Sequence, residues 1–270
     1  MDKRYYLLLI LIYFFYPSCE KKEIEDNINP ECNCFIETAN DTYIYPIRPG
    51  SDEWKAFETS EQMKEAVQIP FSILDSMSTL GIYESYAENP LNIDLYVTLA
   101  PQYFYDVFKT SFNVFIELIN RDDAATVLIK RYSSMCLDCI ENNYSSFSGK
   151  GGDVQYAFAS IELLLAQEEI LSKTTKEESF KLARLVLKNY EINIRNNQSL
   201  FFTSFPVWIA SRIMINNHFS EYIDLISQND LVAIFNDTGT PYLSKESNYS
   251  ELDLFRDIMD KLKIYLNYES

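Results

Sequence analysis

The sequence predicts an all-α protein: stacked helical hairpins, as an irregular bundle or α-solenoid, entered through a short irregular N-terminal arm. Three observations carry this. Glycine is scarce, at 6 of 270 residues, while Leu, Ile and Glu are abundant, a balance that favours helix over turn-rich sheet. Apolar residues recur at three- and four-residue spacing, the period of a helix with one buried face. No alternation of strand-like and helical segments occurs, as a parallel sheet would need.

The elements follow in order. Residues 30–50 hold three prolines and a polar Thr38-Ala39-Asn40-Asp41-Thr42 stretch, and read as the arm. Ser51 stands as an N-cap before the acidic first turn of Asp52 and Glu53. Ser60 is placed to cap residues 61–67, with Met63, Ala66 and Val67 inward. Pro70 suits the start of a short helix, and Ser78 the cap of residues 79–87. The apolar residues 91–99 lean towards helix. Pro101 opens a helix whose Phe104, Val107, Phe108, Phe112, Phe115, Leu118 and Ile119 share a face. Residues 122–135 follow, with Ala125, Leu128, Ile129 and Tyr132 inward. Residues 145–152 hold half of all the glycines and read as a loop.

Longer helices come next, over residues 153–171 and 175–194. Shorter ones are expected at 205–216 and 220–227, and residues 230–235 read as helix or strand. Residues 236–249 are rich in Asn, Thr, Ser, Gly and Pro, and read as a loop. Ser250 caps a final amphipathic helix whose apolar set includes Leu252, Leu254, Phe255, Ile258, Met259, Leu262, Ile264 and Tyr265. No strict repeat period appears, so no named repeat family is implied.

The start of the chain has a different character. Asp2-Lys3-Arg4 precedes an unbroken apolar-aromatic run from Tyr5 to Tyr16, and Pro17-Ser18-Cys19 ends it. A basic start, a short apolar core and a small residue before a cut describe a secretory leader. The run is shorter than the about 20 residues that span a bilayer. The Ser18-Cys19 junction resembles the lipobox of bacterial lipoproteins, in which the cysteine thiol receives a diacylglycerol before cleavage on its N-terminal side. Tyr16 and Pro17 stand where aliphatic and small residues are usual, a looseness found among Bacteroidetes. The resemblance implies residues 1–18 as signal peptide, Cys19 as lipid attachment site carrying palmitate-type chains, residues 19–50 as tether and arm, and 51–270 as one helical domain. Each buried methylene contributes about 0.8 kcal/mol, so two or three chains hold a protein firmly. Lys22-Glu23 and Glu25-Asp26 resemble the acidic cue for surface export in such tethers, and equally describe a solvated linker.

Charge narrows the partners. The chain carries a net −17, which argues against a nucleic-acid surface and equally against docking on anionic headgroups. Besides Cys19, four thiols remain as Cys32-x-Cys34 and Cys136-x-x-Cys139. In an envelope compartment these are disulfide candidates that would staple the arm to the body. Free structural thiols and a zinc site are the alternatives.

Signals of chemistry are sparse. His218 is the sole histidine and falls at a helix boundary, where the helix dipole favours it. Gly149-Lys150-Gly151-Gly152 lacks the flanking residues of a phosphate-binding loop. The doublets Asp122-Asp123, Glu168-Glu169 and Glu177-Glu178 are candidates for paired carboxylates, and solvated faces produce the same pattern. Tyr103-Phe104-Tyr105, Leu200-Phe201-Phe202 and Trp208 are either core or a stacking surface. Asp75-Ser76-Met77 fits the Asp-Ser/Thr-apolar pattern of bacterial O-glycosylation. No cofactor is called for.

The stretch Tyr45-Pro46-Ile47-Arg48-Pro49-Gly50-Ser51-Asp52-Glu53-Trp54, with Gln68-Ile69-Pro70 and Met77-Ser78-Thr79 after it, resembles uncharacterised cell-envelope lipoproteins of Bacteroides-type bacteria. The resemblance covers roughly residues 19–135. It implies an origin and an outer-membrane location and carries over no functional residue. The expectation is a membrane-anchored, non-catalytic binding or assembly module with a protein or glycan partner. The alternative is an acid/base glycoside or cell-wall hydrolase.

Overall fold

The computed structural model describes residues 37–92, 100–135, 137, 154–240 and 250–268. The leader, the tether, the 145–152 loop, nearly all of the 91–99 segment and Cys19, Cys32, Cys34, Cys136 and Cys139 lie outside these residues. Among the described residues there are fourteen helices and no strand. They form an irregular all-α bundle.

The first half is built from short pieces. α1 (Asp52–Lys55) starts at Ser51, whose hydroxyl accepts from Trp54 N. α2 (Ser60–Ala66) is capped one residue earlier than expected: Thr59, not Ser60, forms a capping box with Gln62, because Gln62 is the residue three places on whose amide can return the bond. α3 (Phe71–Leu74) follows Pro70. α4 (Thr79–Ala87) is capped by Ser78 as expected.

The long helix expected from Pro101 is two: α5 (Pro101–Ser111) and α6 (Asn113–Asn120), with Phe112 extended between them. A side-chain clamp makes the break. Asn113 Oδ1 accepts from Ile69 N and its Nδ2 donates to Ile69 O, while Gln68 Oε1 accepts from Asn113 N and its Nε2 donates to Ser111 O. Two of these four bonds, on Asn113 N and Ser111 O, replace helical bonds forgone at the break, and the other two hold Ile69 to Asn113. α7 (Ala124–Ser134) keeps the expected inward face of Ala125, Leu128, Ile129 and Tyr132.

The helix expected over 153–171 also divides, into α8 (Val154–Leu165) and α9 (Glu168–Leu171), around the extended Gln167. α10 (Lys176–Arg195) starts in a capping box of Thr175 and Glu178. α11 (Leu200–Asn216) begins five residues earlier than expected, capped by Ser199, with Pro206 inside it. Proline there deprives the Phe202 carbonyl of its helical donor. Asn193 Nδ2 of α10 reaches that carbonyl at 3.5 Å. α12 (Ser220–Gln228), α13 (Asp230–Thr238) and α14 (Glu251–Tyr268) complete the chain. Residues 230–235 are thus helical, with Asn229 as cap and Gly239 left-handed at the end.

α11 is the middle of the bundle. It packs against α8, α9, α10, α12, α13 and α14, so it is apolar all round rather than striped. α4, α6 and α7 form the other side, joined to it through α5, α8 and α9. One hydrophobic cluster runs from Tyr45 of the arm to Tyr265 of α14. Leu252 and Ile264, expected inside, are 45% and 39% exposed. They fall off the stripe that Leu254, Phe255, Ile258, Met259 and Leu262 bury.

α10 and α11 both end in left-handed residues that are not glycine, Asn197 (φ 51°) and His218 (φ 52°). At each, two amide bonds close the end: Asn197 N to Ile194 O with Gln198 N to Asn193 O, and His218 N to Ile215 O with Phe219 N to Met214 O. These are Schellman ends. Histidine lacks glycine's freedom there, at a cost of about 1 kcal/mol. His218→Gly is therefore expected to raise stability by about 1 kcal/mol, or ~2–4 °C in melting temperature. Differential scanning calorimetry checks this; a lowered midpoint would assign the imidazole a stabilising contact.

Candidate functional site

The arm is docked along α4 by polar ties. Asp41 accepts from Ser78 N at 2.6 Å and from the Ser78 hydroxyl at 2.8 Å, so a carboxylate sits on the N-terminal end of α4, where the helix dipole favours it. Burial alone would raise the Asp41 pKa; the Ser78 bonds outweigh it and hold the group below its ordinary value. Gly81 makes the approach possible: a Cβ there would lie 2.1 Å from Asp41 Oδ1. Further along, Glu84 Oε2 accepts from Ala39 N and the Thr42 hydroxyl, the Ser85 hydroxyl accepts from Tyr43 N, and the buried Tyr45 hydroxyl donates to Ser85 O. On α7, Lys130 pairs with Glu37 at 2.6 Å, and Arg131 Nη1 donates to the Glu37 carbonyl.

The docked arm walls a cleft of about 700 Å³ whose other sides are α4, the turn after it, α7 and α8. Ligand pockets commonly span about 300–1,000 Å³. Buried polar atoms without a hydrogen-bond partner gather here. Six side chains hold such an atom among the described residues, and four of them line this cleft: Glu84 Oε1, Asn89 Nδ2, Asn92 Oδ1 and Arg131 Nε. Each is fixed at its other end. Glu84 is held through Oε2, Asn89 by Leu91 N on Oδ1, Asn92 by its Nδ2 on the Ser160 hydroxyl, and Arg131 through Nη1. Each of these atoms is closed off from solvent, and the Asn89 and Arg131 side chains lie within bonding reach of the Tyr45 and Tyr83 hydroxyls.

Glu162 of α8 is the other unusual group. It is 3% exposed, and its Oε1 accepts from the Tyr132 hydroxyl at 2.5 Å, which in turn accepts from Asn189 Nδ2 at 2.7 Å. Burial pushes its pKa up to about 8, and the bond from Tyr132 offsets only part of this. At neutral pH the carboxyl is mostly protonated. A void of about 10 Å³ adjoins it, room for roughly one water-sized sphere. A lone glutamate inside the apolar run Ile161-Glu162-Leu163-Leu164-Leu165 was the signal for it in the sequence.

The residues singled out from sequence are not brought together. Asp123 accepts from the Thr79 hydroxyl, Glu169 pairs with Lys109, and Glu178 caps α10 and accepts from Thr126. Their doublet partners Asp122, Glu168 and Glu177 are exposed. Phe104, Tyr105 and Trp208 are core, whereas Tyr103 is 65% exposed, and Leu200, Phe201 and Phe202 are half-buried against the core. His218 is exposed at its helix end. Ser76 of the glycosylation-like triplet is exposed and donates to Ile73 O. Gly149, Lys150, Gly151 and Gly152 lie outside the described residues. No group of three His, Cys, Asp or Glu among the described residues is placed to hold a metal, and no described helix is long and apolar enough to cross a membrane.

Comparison with protein-family models, with curated proteins and with solved structures finds no match.

Two measurements probe these arrangements. Gly81→Ala is expected to swing the Asp41 side chain off Ser78, since that is the flexible side of the clash, while alanine's helix preference of about 1 kcal/mol leaves the melting temperature nearly unchanged. Hydrogen-exchange mass spectrometry should show faster exchange over residues 39–45, and unchanged exchange there would refute the latch. For Glu162 the folded pKa is raised, so its stability contribution is full below the ordinary carboxylate range and is lost as pH rises through about 8. Glu162→Gln keeps an acceptor for Tyr132 and removes the titration. The variant should therefore gain stability over the wild type by several kcal/mol between pH 5 and pH 9 in urea unfolding. A constant difference across that range would contradict the assignment.

Proposed function

We propose that this protein is a lipid-anchored envelope lipoprotein that binds a ligand, without chemistry, in the cleft walled by its N-terminal arm. The cleft itself carries this reading: about 700 Å³ of space, with Tyr43 of the arm and Tyr156 of α8 on its lining, both half-buried and held by ring contacts. Side chains held in this way have their rotamers set before a ligand arrives, so little ordering cost remains for binding. The carboxylates on the cleft support binding rather than acid/base hydrolysis, since Glu84 is tied to the arm and Glu88 pairs with Arg48 at 3.4 Å.

The anchor rests on the basic-apolar leader and the Ser18-Cys19 junction. From Cys19 to Glu37 the chain reaches at most ~60 Å even when fully extended, which holds the cleft near the bilayer. The net charge of −17 keeps the body off anionic headgroups and nucleic acid, leaving the lipid as the membrane contact.

Both halves are open to measurement. Intact-mass spectrometry of the protein from its native envelope should show a chain that begins at an acylated Cys19. A free thiol there, or a retained leader, would sink the anchor. Tyrosine labelling in intact envelopes, compared with purified protein, should show Tyr43 and Tyr156 protected by the occupant. Equal labelling in both preparations would sink the binding site.

A further inference from the structure

Two pieces of a buried hydrogen-bonded chain lie side by side in the middle of the bundle. In the first, Asn189 Nδ2 of α10 donates to the Tyr132 hydroxyl of α7, and Tyr132 donates to Glu162 Oε1 of α8. In the second, one turn along α10, Asn193 Nδ2 donates to Phe202 O of α11, the carbonyl that Pro206 leaves without a helical donor. Glu162 Oε2 and Asn193 Oδ1 lie between the pieces. Neither has a hydrogen-bond partner among the described residues, although the two side chains belong to residues only 3% and 7% exposed. Unlike the polar atoms at the cleft, neither is sealed off. Both residues line the void of about 10 Å³, with Leu137, Phe158 and Phe202.

Donors and acceptors say how the gap closes. Asn193 Oδ1 can only accept, and its own Nδ2 is already given to Phe202 O. Glu162 Oε1 is taken by Tyr132, so a proton on this carboxyl sits on Oε2 and makes it a donor. A water between them accepts from Oε2 and donates to Oδ1. The size agrees, since about 10 Å³ is roughly one water-sized sphere, and a buried water needs at least two polar partners. The apolar Leu137, Phe158 and Phe202 side chains offer it no rival bond.

We infer that one ordered water occupies this void, accepting from Glu162 and donating to Asn193, and so joins the two pieces into a single head-to-tail chain across α7, α8, α10 and α11. Tyr132 is the titratable side chain that faces Glu162 among the described residues, and the rest of the void is lined by uncharged groups. An ionised Glu162 would have only Tyr132 and the water as donors, in keeping with the rise of its pKa to about 8 by burial. Glu162 and Asn193 do not line the cleft, so the inference stands whether or not the cleft binds a ligand.

Crystal structures of the full-length protein and of Glu162→Gln near pH 6.5 test the site. Glutamine turns its oxygen to Tyr132 and its amide to the water, so both structures should show one water within hydrogen-bond distance of residue 162 and of Asn193. Asn193→Leu removes the acceptor and fills the space, and should lose that water. In solution, the infrared difference between wild type and Glu162→Gln at pH 6.5 should show the carbonyl stretch of a neutral carboxylic acid, replaced by carboxylate bands at pH 9.5. Two results would overturn the inference. One is a void without water, or a Glu162 Oε2 bonded directly to protein. The other is a carboxylate spectrum for Glu162 already at pH 6.5.

Discussion

The burial of α11 on every side is the constraint on which the rest of the bundle depends. From Thr203 to Met214 nearly every side chain of this helix is out of water. No single partner can cover such a cylinder, so six other helices must be placed around it. Polar pins set where they sit. Trp208 Nε1 donates to Asn236 O, the Ser211 hydroxyl donates to Asn236 Oδ1, and the Tyr222 hydroxyl donates to Ser211. Apolar packing alone is non-directional, whereas a satisfied buried network specifies one register of α12 and α13 on α11. Gly239 belongs to the same fit. It ends α13 left-handed, and a Cβ there would lie 2.8 Å from the Trp208 ring.

Several helix starts were legible in the sequence, though the caps Thr59 and Ser199 were missed, and the helix breaks were not. A start depends on a hydroxyl or amide within three residues of the amide it caps, as Ser51, Ser78 and Ser250 show. That information is local, so a reader of the chain has it. The break at Phe112 depends on Gln68 and Ile69, more than forty residues away, and periodicity runs straight across it. The start of α11 was placed five residues late: Pro206 lies inside the helix, and Asn193 Nδ2 of the preceding helix approaches the Phe202 carbonyl that the proline leaves without a donor. All-α class and the buried faces of α6 and α7 followed from spacing alone. The exposure of Leu252 and Ile264 did not, because an apolar residue just off a stripe looks much like one on it.

The site was less legible than the fold. Carboxylate doublets attract attention in a sequence, yet here Asp122, Asp123, Glu168 and Glu177 all face water, and no two doublets meet. The groups that meet in the cleft are a glutamate, two asparagines and an arginine spread over three elements, with no motif spacing among them. What they share is a place on the lining of one cleft, a property of the fold rather than of residue type. Glu162 was passed over as well, although a carboxyl inside an apolar run has few explanations.

The arm joins these two stories. Tyr45 is buried in the core, with its hydroxyl on Ser85 O, so it fixes the arm to the bundle by apolar burial as well as by a bond. Before it, apart from Tyr43, whose ring packs on Tyr45 and the core, the arm is held by polar ties: Asp41 to Ser78, Thr42 and Ala39 to Glu84, Glu37 to Lys130. A typical hydrogen bond contributes about 1 kcal/mol net and an exposed ion pair less. Releasing residues 37–44 therefore costs far less than opening the core behind Tyr45. Release would run from the Glu37 ties to Lys130 and Arg131, through the Glu84 and Asp41 ties, and stop at Tyr45, so the cleft wall yields before the fold does.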